Sequence, residues 1–236
     1  MKIHLISYGD AKYASQREFF RETAVASSFF DEITIFTPED IEDRFAEKVN
    51  RVLFQPRGGG YWIWKPYFIK KTLENVKNGD ILIYCDAGCM INGVGRTRFN
   101  QYLEMLANSE TGTIDFELPF KEYQYTKQDV FDYFKASDLI VHSNQLMATV
   151  LMFRKCEHTS RLIDTWYKTA CDQSSLFTDE MIRRPVNNGF IDHRHDQSIF
   201  SVIRKQAGAN IIPDETYFLD FVREGRDFPI WAARLR

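Results

Sequence analysis

An α/β fold, a single domain with a mostly parallel central sheet flanked by helices, is what this sequence predicts, and three observations predict it. Apolar, β-branched runs alternate with helical stretches along the chain, the order that builds parallel sheets. Ile81–Tyr84 is continuously apolar and Gln145–Arg154 is a second long apolar run, as strands buried on both faces must be. No linker, repeat or low-complexity tract divides the 236 residues, a length suited to one large domain.

Each element has its own signal. Lys2–Ser7 reads as a buried strand that stops at Tyr8-Gly9-Asp10, and Ala14–Ser28 as a helix. Glu32–Thr37 is a β-branched strand closed by Pro38, and Glu39–Val49 is helical with an acidic first turn. Arg57-Gly58-Gly59-Gly60 is the strongest loop signal, followed by Tyr61-Trp62-Ile63-Trp64-Lys65-Pro66 and a helix to about Val76. Asn78-Gly79-Asp80 turns the chain into the strand Ile81–Tyr84, which delivers Asp86-Ala87-Gly88 at its carboxyl end. Helices are expected over Thr97–Asn108, Asp129–Phe134, Glu157–Cys171 and Asp196–Gln206, the last with Gly208 behind it. Thr113–Leu118 reads as an edge strand, Gln145–Arg154 as one long strand, Ile211–Pro213 as a short one, and the tail to Arg236 as irregular.

Composition narrows the function. Lys plus Arg is 30 against 33 Asp plus Glu, a formal charge of −3, which argues against nucleic acid as the main partner. Aromatic residues make up 15%, a supply suited to sites where flat sugar or base faces stack. The longest uncharged run, Leu139–Phe153, is too short to span a bilayer and carries His142, Asn144 and Gln145. The start shows no signal peptide, so a cytoplasmic protein is expected, with any membrane contact peripheral at the inner face. Cys85, Cys89, Cys156 and Cys171 form no C-x-x-C pair and read as buried reduced thiols.

Ligands in open α/β sheets bind at the carboxyl ends of strands, and three polar clusters fall there. They are Ser7-Tyr8-Gly9-Asp10, Asp86-Ala87-Gly88 and His193–Gln197. Asp86, directly after a buried strand and beside glycine, could hold a divalent cation or merely cap a turn. The three glycines let backbone approach a ligand, and Lys65 offers a point charge for phosphate, while Trp62 and Trp64 could equally be core. Asp192-His193-Arg194-His195-Asp196-Gln197 fails as a metallohydrolase pattern because Gln197 and Ser198 stand where Asp and His are needed. Asp196 lies instead at a helix N-terminus, where it could act as a base or cation partner, or simply cap. Gly93-x-Gly95 lacks the third glycine of a dinucleotide fingerprint, which weakens the rival reading as an NAD-dependent oxidoreductase.

KIHLISYGD, GGGYWIWKPYFI, GDILIYCDAG, LMATVLMFRK and HDQSIFSVI, in this order and spacing, resemble the sugar-nucleotide-dependent glycosyltransferases of the GT-A (Rossmann-like) fold. The chain is similar to small bacterial and viral transferases that build capsule or surface glycans. The resemblance implies transfer of a hexose from a nucleoside-diphosphate sugar, a UDP-sugar for preference, to a glycan or lipid-linked acceptor. It implies a nucleotide-binding part over about residues 1–95 and an acceptor-side part over about 96–236. Family members usually hold Mn²⁺ or Mg²⁺ with Asp-x-Asp. Here Asp86 matches the first carboxylate, the metal ligand, and Gly88 replaces the second. By the same resemblance Ser7 and Tyr8 touch the nucleoside. Arg57, Gly60, Trp64 and Lys65 frame the donor with Asp86, Ala87 and Gly88. His195, Asp196 and Gln197 lie beside the sugar, with Asp196 and Asp86 as the catalytic pair. The missing second aspartate keeps a nucleotide-sugar-binding module without turnover as the other alternative.

Overall fold

The computed structural model describes residues 1–184 and 188–235. Strand β1 (Ile3–Tyr8) leads through helix α1 (Ala14–Ser27) to β2 (Glu32–Phe36). Helices α2 (Asp43–Leu53), α3 (Gly58–Tyr61) and α4 (Trp64–Asn75) precede β3 (Ile81–Cys85) and the short β4 (Met90–Ile91). Then come α5 (Arg96–Asn108), β5 (Thr113–Lys121), α6 (Glu122–Tyr125), α7 (Gln128–Phe134), α8 (Asp138–Val141), β6 (Asn144–Leu146) and β7 (Val150–Arg154). Helices α9 (Glu157–Asp172) and α10 (His195–Ala207) are followed by β8 (Ile211–Pro213) and β9 (Ile230–Trp231).

The main sheet runs β2-β1-β3-β7-β5-β6, with β8 also on β5. β1 pairs in parallel with β2 and β3, and β5 in parallel with β8. β7 runs antiparallel to both β3 and β5, and β6 antiparallel to β5. β1, β2, β3, β5 and β8 therefore share one direction, and the sheet is mostly parallel as expected. Its faces are both covered. In β3, Leu82 and Tyr84 enter one apolar cluster with α2, α4, α9 and α10, while Ile81, Ile83 and Cys85 enter another with α1 and α5. That double burial is why the strand sequence shows no polar alternation.

Three expectations need correction. β5 is interior, because it pairs with β6, β7 and β8 rather than standing at an edge. The run Gln145–Arg154 is two strands, broken at residues 147–149, since β6 and β7 take different partners' registers. The tail is ordered by β9, which pairs antiparallel with β4 (Met90↔Trp231, Ile91↔Ile230); Arg236 lies outside the described residues. All four cysteines are free, but only Cys85 and Cys89 are buried; Cys156 and Cys171 are half-buried.

Candidate active site

A cavity of about 450 Å³ opens along one edge of the sheet. β1, β3 and β5 end there, at Tyr8-Gly9-Asp10, Asp86-Ala87-Gly88 and Leu118–Phe120, and the antiparallel β7 begins there after Ala148-Thr149. From β1 across β3 and β7 to β5 is three inter-strand steps, a span of about 14 Å. Tyr8, Tyr13, Trp62 and Trp64 line the cavity together with Phe120, and His193–Gln197 enter it from the start of α10.

On its floor lies an ionic cluster. Lys65, in the first turn of α4, is 2% exposed, and its Nζ sits 2.7 Å from Asp196 Oδ2, 3.2 Å from Asp86 Oδ1 and 3.1 Å from the Ala148 carbonyl, to which it donates. The Tyr84 hydroxyl donates to Asp86 Oδ1 at 2.6 Å, and the Asp86 amide to the Thr149 carbonyl at 2.9 Å. Asp196 Oδ2 has no well-directed hydrogen bond, so its contact with Lys65 is one of charge. Burial pushes the Asp196 carboxyl up to about 6 against the pull of Lys65, and the charge of Asp86 adds to the rise. Burial acts to lower the Lys65 pKa, but Asp196 and Asp86 outweigh it and hold the ammonium protonated.

The turn that delivers Lys65 is left-handed. Gly58, Gly59, Gly60, Tyr61 and Trp62 have φ of 59, 57, 95, 53 and 57° in succession. A left-handed residue with a side chain costs about 1–2 kcal/mol, so Tyr61 and Trp62 are held there by their neighbours. The Trp62 ring stacks on His195 at 5.3 Å, and the Tyr61 hydroxyl donates to Asp179 at 2.9 Å. A Cβ on Gly60 would come within 2.5 Å of the Leu53 carbonyl oxygen, so this glycine lets the turn close on α2. His195 is itself left-handed (φ 51°), and its Nδ1 lies 2.9 Å from the Phe177 carbonyl. Burial, then the charge of Arg57, pushes its imidazole down to about 4.

Of the residues singled out in the sequence, Tyr8, Arg57, Trp64, Lys65, Asp86, Ala87, Gly88, His195, Asp196 and Gln197 all line this one cavity. Ser7 and Gly60 do not. Ser7 is fully buried within β1, and Gly60 faces Leu53. Arg57 is bound to protein carboxylates, Asp179 at 2.9 Å and Asp192 at 3.0 Å. Gln197 positions backbone: its Oε1 accepts from the Ala148 amide at 3.2 Å and its Nε2 donates to Gln145 at 2.7 Å. Sequence reasoning gave no role to two further cations of the cavity wall, Arg194 and Arg234. Arg194 stood inside the rejected metal pattern, and Arg234 reaches the cavity only because β9 pairs with β4.

The residues do not fit a metal held by the protein. No group of three His, Cys, Asp or Glu side chains suited to a cation occurs among the described residues. Asp86 already has the Lys65 ammonium beside it. Position 88 supplies no second carboxylate, and a Cβ there would sit tightly, 3.3 Å from the Leu235 carbonyl oxygen.

No family model matches the chain, and no curated protein matches it. Solved structures do. A glycosyltransferase involved in the glycosylation of the major capsid of PBCV-1 superposes with a TM-score of 0.51 at 8% identity, covering 98% of this chain and 92% of that one. The fold is the GT-A fold. The galactosyltransferase LgtC (TM-score 0.48, 13% identity, 91% of this chain and 75% of that one) and mouse xyloside xylosyltransferase 1 (0.47, 10%, 95% and 90%) are more distant in shape. Among the described residues of this GT-A chain, no helix is long and apolar enough to cross a membrane.

Proposed function

We propose that this protein transfers a hexose from a nucleoside-diphosphate sugar, a UDP-sugar for preference, to a glycan or lipid-linked acceptor. The Asp86–Lys65–Asp196 cluster, with Lys65 and Asp196 buried and Asp86 half-buried, on the floor of an aromatic-lined cavity at the strand ends of a GT-A sheet, carries this reading. In the transfer, the acceptor hydroxyl oxygen bonds to the anomeric carbon and the bond from that carbon to the phosphate oxygen breaks. The electron pair stays on the diphosphate, and the hydroxyl proton goes to a base. A fixed cluster of charge, assembled before substrate arrives, stabilises that redistribution without reorganising. Asp196 is the proposed proton acceptor, since a carboxylate with a pKa of about 6 is ionised at neutral pH yet basic enough to take a proton.

The test is release of nucleoside diphosphate from a panel of nucleotide sugars, with and without glycan acceptors. Wild-type protein should release diphosphate with at least one donor. Asp196→Asn, which keeps the shape of the side chain and removes its charge, should cut turnover about a hundredfold or more in a protein that still melts cooperatively at neutral pH. Tight donor binding with no release under any acceptor would leave a binding module in place of an enzyme.

A further inference from the structure

Four carboxylates line the cavity, Asp10, Asp86, Asp192 and Asp196, yet two of its cations pair with none of them. Four cationic side chains line it: Arg57, Lys65, Arg194 and Arg234. Arg57 is taken by Asp179 and Asp192, and Lys65 by Asp86 and Asp196. The two carboxylates and one ammonium of the floor leave a net charge of about −1, which would repel a donor's diphosphate. Arg194 and Arg234, by contrast, have no carboxylate within 4.0 Å among the described residues. The Arg194 guanidinium instead lies 3.8 Å from the Tyr125 ring centre and 4.4 Å from that of Phe120, and Arg234 lies 5.7 Å from that of Tyr217. Arg194 is half-buried and Arg234 is exposed at the cavity mouth.

The two also act on one another. Burial lowers the Arg194 pKa, and the charge of Arg234 lowers it further, whereas Tyr125 and Asp192 oppose the shift. Like charges brought together at a cleft, one of them half-buried, repel, and a bound anion relieves that repulsion. The backbone explains how they meet. β9 pairs with β4, the Ala232 amide donates to the Thr216 carbonyl at 2.7 Å, and the Leu235 amide donates to the Gly88 carbonyl at 3.0 Å. Segment 230–235 is thereby fastened across the Asp86-Ala87-Gly88 motif. A Cβ on Gly88 would lie 3.5 Å from the Arg234 Cα, so the chain carrying this arginine packs directly against the position where a second carboxylate would stand.

We propose that Arg194 and Arg234 grip the diphosphate of the nucleotide-sugar donor, supplying in the protein's own side chains the positive charge that the Gly88 motif does not recruit as metal. The inference rests on the donor reading given above. Guanidinium groups suit the task, because their forked donors match phosphate oxygens and stay charged throughout the neutral range. As the leaving diphosphate gains negative charge, the same contacts strengthen, so the pair serves departure as well as binding.

The experiment is calorimetric titration of the whole chain with UDP, GDP, ADP and CDP, and with the matching monophosphates, in excess EDTA. Wild type should bind one diphosphate, more tightly than its monophosphate. Arg194→Ala and Arg234→Ala should each weaken that binding at least about tenfold and shrink the gap to the monophosphate. Arg194→Lys and Arg234→Lys, which keep charge and most packing, should recover part of the loss, and thermal melts of all four variants exclude unfolding as the cause. Unchanged diphosphate affinity in folded alanine variants overturns the proposal and leaves the donor reading standing. So does a loss confined to the KM of a phosphorylated acceptor, which would move the pair to the acceptor. Diphosphate binding that appears only when Mn²⁺ or Mg²⁺ is added overturns the replacement of metal by arginine. A wild type that binds none of the four diphosphates removes the donor reading itself.

Discussion

At the scale of single residues, the site sets two opposing titrations within one cavity. Asp196 is raised from 3.8 to about 6, so its contribution to stability is complete below pH 4 and is lost as pH climbs to 6. His195 is lowered from 6.5 to about 4, so its contribution is present at neutral pH and is lost as pH falls through that same interval. Each changes stability by up to about 1.4 kcal/mol per pH unit, with opposite sign, and in wild type they largely offset. Asp196→Asn removes one side of the balance. Its melting temperature should fall more steeply than that of wild type on acidification from pH 6 to pH 4. Parallel melting curves for the two proteins across that range would show that Asp196 is not the titrating partner. Sequence pattern made both residues candidates through their place before a helix. Burial in the folded cavity sets their pKa values, with Asp86 and Arg57 adding to the shifts and Lys65 and the Phe177 carbonyl opposing them, and all four partners are distant in the chain.

At the scale of elements, the glycine run divides into positions with different duties. Gly59 has φ +57°, but a Cβ there meets nothing closer than 3.8 Å, so Gly59→Ala should cost only about 1 kcal/mol, the penalty of left-handed backbone. Gly60→Ala adds a clash with the Leu53 backbone at 2.5 Å and should cost at least twice as much in urea denaturation. Equal losses would mean that α2 yields to the intruding methyl group. The run was legible as a loop that brings backbone and cation together, because glycine clusters break helices and Lys65 follows directly. Its left-handed path was not legible, since Tyr61 and Trp62 enter that region only under tertiary force. β5 was misplaced at an edge for a related reason. Its sequence is polar at Asp115 and Glu117, as edge strands often are, but Asp115 is buried and neutralised by Arg204 at 2.9 Å.

At the scale of the whole molecule, the two apolar clusters lie on opposite faces of β1, β3 and β7, each of which sends side chains into both. Leu82 is fully buried, and Leu82→Ala should lower stability by about 2–5 kcal/mol in equilibrium denaturation; a loss below 1 would mean that the adjoining helices collapse into the space. The alternation of strands and helices was readable because burial on both faces writes itself as apolar runs. Pairing order was not readable, because partners such as Lys2 and Asp80, 78 residues apart, are chosen by the fold as a whole. The cavity shares this dispersion, as its walls run from Tyr8 to Leu235. During synthesis, the sheet strands β1 to β3 are complete long before β9 leaves the ribosome to seat segment 230–235 over Gly88. A chain interrupted before that point lacks the segment that packs on Gly88, and with it one wall of the cavity.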